Sequence, residues 1–157
     1  MTSRSQLVAD LGTAMQRYQR SVQAYDDAVG RVLNLGPADL RCLDWLADGP
    51  KAAGVLATAT GLRPAATTAL IDRLEAKGLV ERVRDETDRR RVLVRMTEHG
   101  MRSTYAMYAA LVEEGADLFA HHTEAELAAM RDLLEAMRAL TDRHRDRVAA
   151  QRGAPTS

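Results

Sequence analysis

Two long apolar stripes, one near each end of the chain, constrain what it can become. Leu7, Leu11, Met15, Tyr18, Val22, Tyr25, Val29 and Val32 follow one another at steps of 4, 4, 3, 4, 3, 4 and 3. Leu127, Met130, Leu134, Met137, Thr141, His144 and Val148 follow at steps of 3, 4, 3, 4, 3 and 4. Steps of this kind put every member of a stripe on one side of a helix, close to a heptad seam. The first helix, from about Ser5 to Leu33, is longer than a small domain needs for its own core. Part of its apolar face is expected to pack on another chain.

Composition agrees with a mainly helical fold. Hydrophobic residues make up 46% of the 157, yet aromatics only 4%, and alanine and leucine dominate the apolar set. These side chains lose little rotamer freedom in a helix. The length suits one domain with long appended helices. Basic and acidic residues number 22 each, so no global charge excess argues for nucleic acid. Any such argument has to come from local charge.

The single cysteine, Cys42, excludes an intrachain disulfide and any multi-cysteine zinc site. No run approaches the roughly 18 apolar residues of a membrane span. The start "MTSRSQLVADLG" lacks the apolar stretch of a signal peptide. The expectation is a soluble cytoplasmic protein with no membrane partner.

Between the stripes the punctuation changes. In "NLGPADLRCLDWLADG", Gly36 and Pro37 break the first helix, and Pro37 opens the next. Leu40, Leu43, Trp45, Leu46 and Ala47 make that helix amphipathic, and Gly49 and Pro50 stop it. "KAAGVLATATGL" reads as another short helix with Gly61 just past its end. In "RPAATTALIDRLEAKGLVERV", Pro64 sits at a helix start, Ala66, Leu70 and Leu74 share a face, and Gly78 ends the helix at Lys77. Two short helices meeting at Gly61 form a helix-turn-helix. "LVERV" and "VLVRM" then flank the polar segment from Arg84 to Arg91, which predicts a hairpin. Thr97 caps a long helix with the stripe Met101, Tyr105, Tyr108, Val112, Gly115 and Phe119. A break follows at His121-His122, and Thr123 to Glu126 has capping-box spacing.

A hairpin directly after the second helix of a helix-turn-helix is a wing. The second helix can enter a major groove of duplex DNA, and the wing can reach phosphates or the neighbouring minor groove. Arginine suits a narrow minor groove, where negative potential is concentrated. From Arg63 to Arg95 there are nine basic and six acidic residues, a net of +3.

With these residues in view, Leu56 to Gly100 resembles the core of the MarR family of bacterial transcriptional regulators. The matching features are Leu56-Ala57 before Gly61-Leu62, then Pro64, "LIDRLEAKGLVER", the wing "DETDRRRVLV" and the closing "MTEHG". The resemblance extends outward to "LGPADLRCLDWLADG" and to the long flanking helices, and covers nearly the whole chain. It implies a winged helix-turn-helix with long N- and C-terminal dimerisation helices. It also implies a homodimer on a pseudo-palindromic operator in double-stranded DNA, acting as a repressor of its own and neighbouring genes and released by a small molecule. The implied organisation is a dimerisation helix at 1–34, a DNA-binding lobe at 35–97, dimerisation helices at 98–150 and a disordered tail at 151–157. Within the lobe the recognition helix spans about 64–77 and the wing about 79–96.

The resemblance carries roles onto single residues. Arg90 matches the wing arginine placed in the minor groove, and Asp88 the acid that orients it. Arg84 and Arg89 match phosphate partners. Thr68 matches a DNA-facing position, and Arg73 one that anchors the helix to the DNA backbone or to a nearby acid. The chain departs from the pattern where Arg63 stands at the usual serine or threonine N-cap, which costs about 1 kcal/mol. A phosphate partner suits a cation there, since a bare cation sits poorly at a helix N-terminus. Ala65, Ala66 and Ala69 also replace residues able to make paired hydrogen bonds to bases, leaving apolar contacts to thymine methyls. The DNA-contacting set is thus Arg63, Ala65, Ala66, Thr67, Thr68, Arg73, Arg84, Asp88, Arg89, Arg90 and Arg91. The other reading of an alanine-rich recognition helix is a dimeric interaction protein that has lost sequence-specific DNA binding.

Tyr25, Trp45, Tyr105 and Tyr108 are either a pocket for a small aromatic or phenolic effector, or ordinary core packing. Cys42 reads as a buried small apolar residue. His99, His121, His122 and His144 lack metal-ligand spacing. No phosphate loop or nucleophile motif points to an enzyme, and no cofactor is expected.

Overall fold

A computed structural model of the chain describes residues 3–151. Of the tail expected to be disordered, 152–157 lies outside the described residues, whereas Gln151 closes the last helix. The chain divides into a unit ending at Tyr108 and a second beginning at Ala109.

The first unit begins with α1 (Arg4–Leu33), whose N-cap Ser3 accepts the Gln6 amide at 3.1 Å. Asn34 ends it in the left-handed region, at φ 52°. Two short helices follow, α2 (Pro37–Ala47) and α3 (Ala53–Thr60), and then α4 (Pro64–Ala76). Gly61 makes the turn between α3 and α4 at φ 71°, where a side chain would be strained, and the Leu62 amide closes it by donating to the Ala57 carbonyl at 3.2 Å. The wing strands are β2 (Val80–Arg84) and β3 (Val92–Met96), paired antiparallel from Val80↔Met96 to Arg84↔Val92.

The sheet has one strand more than the sequence suggested. Lys51–Ala52 forms β1, which pairs with β3 and gives the order β1-β3-β2. Neither residue has strand preference. The pairing exists because the packing of α2 and α3 carries this short connection past the open edge of β3.

The core lies where α2, α3 and α4 meet the sheet. Cys42, Leu43, Leu46, Leu56, Leu70, Ile71, Leu74, Val80, Val94 and Met96 are buried there. Each large side chain so buried contributes about 1.5–3 kcal/mol. The buried stripe of α4 is Thr67, Leu70, Ile71 and Leu74, while Ala66 is exposed. Ala66 therefore does not share the face of Leu70 and Leu74, as its spacing suggested.

Helix α5 (Glu98–Phe119) crosses into the second unit. Its start is fixed by Thr97, whose amide donates to Leu79 O at 3.0 Å and whose hydroxyl donates to Gly78 O at 2.6 Å and accepts the Gly100 amide at 2.9 Å. Helix α6 (Glu124–Gln151) opens on a reciprocal capping box. The Thr123 amide donates to Glu126 Oε2 at 2.8 Å, and the Glu126 amide to Thr123 Oγ1 at 3.2 Å. The terminal stripes remain largely uncovered within one chain. Leu7, Leu11, Tyr18 and Val32 are exposed on α1, as are Met130, Leu134 and Val148 on α6. No helix among the described residues is long and apolar enough to cross a membrane.

Candidate nucleic-acid interface and the adjoining cleft

Helix α4 presents a small, smooth outer face. Ala65, Ala66, Thr68 and Ala69 are exposed, and the Thr68 hydroxyl donates back to Pro64 O at 3.1 Å. Thr67 points the other way. It is 1% exposed, and its hydroxyl donates to Arg63 O at 3.1 Å. Its place in the DNA-contacting set is therefore corrected, because the helical period turns its side chain into the core. Arg63 caps the helix without a side-chain hydrogen bond, and Pro64 at the first position contributes no amide.

Ion pairing sorts the arginines. Arg82 is held by Asp72 at 2.5 Å and by Glu75, both on α4. Arg95 pairs with Glu81 across the strands at 2.8 Å, and Arg91 lies 3.7 Å from Asp85. Among the described residues Arg63, Arg84, Arg89 and Arg90 have no carboxylate partner, and all four are exposed. Within Arg63–Arg95 the unpaired arginines therefore sit at the start of α4 and on the wing.

The wing tip is held by its own carboxylates. Asp85 accepts the Thr87 hydroxyl at 2.7 Å and the Thr87 amide at 2.9 Å, contacts that draw its carboxyl below the usual range. Asp88 accepts the Arg90 amide at 3.0 Å, while its carbonyl accepts the Arg91 amide at 2.8 Å. The sequence suggested that Asp88 orients the Arg90 guanidinium. Instead its side chain grips the Arg90 backbone, which sets the loop and leaves the guanidinium unpaired.

Arg73 has the acid partner foreseen for it. Its Nη2 donates to Asp39 Oδ1 at 2.5 Å, and Asp39 Oδ2 accepts the Gly36 amide at 2.9 Å. Asp39 is 4% exposed. At the same end of α4, its C-cap Lys77 donates from Nζ to Asn34 O at 2.8 Å. Both contacts tie α4 to the junction of α1 and α2.

That junction is also the wall of a cleft. A cavity of about 1000 Å³ is lined by Asp26, Asp27, Arg31, Asn34 to Pro37, Arg41, Asp44 and Tyr108, among others. A second, of about 390 Å³, shares Leu40, Asp44 and Tyr108 with it and adds Leu43, Ala47, Met96, Met101, Thr104 and Tyr105. Of the four aromatic residues singled out in the sequence, the structure brings three to this region. Tyr25 and Tyr108 rings lie 5.5 Å apart. The Tyr25 hydroxyl donates to Met107 O at 2.6 Å, and the Tyr108 hydroxyl to Asp26 Oδ1 at 2.7 Å. Burial first, and then Asp26, push the Tyr108 hydroxyl above its ordinary range. Trp45 is 39% exposed and lines neither cavity, being turned outward from α2. Sequence reasoning passed over Asp26 and Asp44, because a lone acid on an amphipathic helix carries no local signal.

Cys42 is buried, and burial pushes its thiol up to about 11. Among the described residues no three His, Cys, Asp or Glu side chains converge as a metal site.

Residues 33–91 match a family model described as the MarR family. The chain is 35% identical over 126 residues to the uncharacterized HTH-type transcriptional regulator YcgE of Bacillus subtilis, a match covering 80% of this chain and 82% of that one. Its fold is similar to a MarR family protein from Bacillus stearothermophilus, with TM-score 0.65 and 23% identity, covering 89% of this chain and 99% of the other. It is also similar to a point mutant of MepR from S. aureus bound to an oligodeoxyribonucleotide, with TM-score 0.55 and 19% identity, covering 83% and 97% respectively.

Proposed function

The chain belongs to the MarR family of transcriptional regulators and has its DNA-binding winged-helix fold, and from that premise we propose that it is a homodimeric repressor released from its operator by a small molecule. Its targets on this reading are its own gene and neighbouring genes. The observation that carries the DNA-binding part is the segregation of charge. From Arg63 to Arg95, Arg63, Arg84, Arg89 and Arg90 are exposed without carboxylate partners among the described residues, while Arg73, Arg82, Arg91 and Arg95 lie against carboxylates. Unpaired arginines are the groups able to release counterions from DNA phosphates. The outer face of α4 offers methyl groups from Ala65, Ala66, Ala69 and Thr68, so base reading there is apolar contact with thymine methyls. The wing supplies the remaining discrimination through groove width.

Dimerisation is supported by the exposed stripes of α1 and α6, since contiguous apolar surface of that length marks an interaction site. Two recognition helices of a dimer read half-sites roughly 34 Å apart. The route for release is short. The junction that walls the cleft holds α4 through Asn34–Lys77 and Asp39–Arg73, so a molecule wedged against it shifts the recognition helix.

A gel-shift titration against palindromes from the gene's own upstream region tests the reading, with light scattering giving the mass in solution. A dimer mass and salt-sensitive binding are expected, and Leu11→Glu or Leu134→Glu should lower the mass. If no palindrome is bound, the alternative gains. The exposed alanines of α4 then mark a dimeric interaction protein without sequence-specific DNA binding.

A further inference from the structure

The 390 Å³ cavity has an uneven chemical lining. Its walls are Leu40, Leu43, Ala47, Met96 and Met101 together with the rings of Tyr105 and Tyr108. Asp44 is the sole charged side chain among its lining residues. No hydrogen bond or ion pair among the described residues engages the Asp44 carboxylate. Its charged neighbours are of the same sign. After desolvation, Asp48 and Asp26 raise its pKa, and no nearby cation opposes them. The hydroxyl of Thr104, in the same wall, is buried and has no hydrogen-bond partner. Arg31 and Arg41 line the larger cleft but not this cavity.

We propose that the effector of this protein is a lipophilic organic cation, seated in the apolar cavity with Asp44 as its counter-ion. This rests on the reading of the adjoining cleft, which shares Leu40, Asp44 and Tyr108 with this cavity, as the region where the effector acts, and it replaces the phenolic ligand suggested by the tyrosines alone. A phenolate or carboxylate would meet a carboxylate with no neighbouring cation, and would pay for its desolvation without a partner. A quaternary ammonium or phosphonium gains the Asp44 charge. Tyr105 and Tyr108 in the lining add aromatic rings, which attract cations through the ring quadrupole. Met96 and Met101 are soft and unbranched, and adapt to ligands of differing outline. The Thr104 hydroxyl is free to serve a polar substituent.

The test uses the full chain and three ring compounds of similar size, titrated by calorimetry. They are phenyltrimethylammonium, its neutral isostere tert-butylbenzene, and benzoate. The cation should bind at least about fivefold more tightly than the neutral isostere, the scale of one exposed charge pair plus a cation–π contact. Benzoate should bind most weakly. Asp44→Asn should remove most of the cation's advantage and leave the neutral compound's affinity unchanged. Asp48→Asn, which deletes the same charge outside the cavity, should have the smaller effect. Equal binding of the cation and its isostere overturns the proposal, as does preference for benzoate or an unchanged advantage in Asp44→Asn. The ring series on the parent chain decides the sign even where a variant does not fold. A parallel operator gel shift without ligand separates the two readings. DNA binding without cation preference sinks this inference alone, and cation preference without DNA binding sinks the regulator.

Discussion

Arg73 on the recognition helix donates to Asp39 on α2, and the second oxygen of the same carboxylate accepts the Gly36 amide. One nearly buried acid thus joins the DNA-facing helix to the wall of the cleft. Arg73→Met leaves that charge without its guanidinium. We expect a loss of about 1–2 kcal/mol, reduced from a fully buried pair because Arg73 itself is half exposed. Urea unfolding measures it, and an unchanged midpoint would show that the pair contributes nothing to the lobe.

Arg90 occupies the wing tip with no side-chain partner among the described residues. Arg90→Ala should weaken operator binding roughly tenfold or more, the scale of one lost groove contact at about 1–3 kcal/mol. Its melting temperature and dimer mass should stay at parental values. Equal operator affinity in mutant and parent counts against the wing assignment. Arg91→Ala is the internal comparison, since Arg91 already lies beside Asp85, and its effect should be smaller.

Gly100 is packed against Leu79, the residue that leads into the wing. A Cβ there would stand 2.1 Å from Leu79 O, and backbone on both sides leaves little to yield. Gly100→Ala should destabilise by about 3 kcal/mol, the upper range for overpacking. Gly54, inside α3 with nothing within 4 Å of its added Cβ, should behave oppositely. Gly54→Ala should stabilise by about 0.5–1 kcal/mol. Paired denaturation curves decide both, and similar effects at the two sites would contradict the packing.

Cys42 gives a pH signature. Burial raises its thiol from 9.0 to about 11. The folded state therefore holds this proton where the unfolded state has released it. The contribution to stability is full below pH 9, and falls as pH rises through about 11. Cys42→Ala should flatten that part of the alkaline stability profile. Maleimide at pH 7 should label the folded chain far more slowly than the unfolded one, because the thiolate is the reactive form. Rapid labelling of folded protein would show the site to be open.

Helix periods, caps and breakers act over a few residues, and they made most of the architecture legible. The starts at Pro37 and Pro64, the stop at Gly61 and the Thr123–Glu126 box needed no tertiary information, whereas the first helix ends earlier than its Gly36-Pro37 breaker, at Asn34. The wing was legible for the same reason, as two β-branched runs around a polar tip. Membership in the family was readable too, since its motifs are local strings.

Tertiary structure decided the rest. Strand β1 exists only because β3 passes beside Lys51 and Ala52. Thr67 went to the core while Ala66 stayed outside, a choice that small residues of either kind leave to the packing of the helix. Asp44 and Tyr108 are far apart in the chain and meet at one cavity. Local spacing determines which elements form. Which carboxylate meets which cation, or none, depends on how those elements are brought together, and that is where the candidate effector site arises.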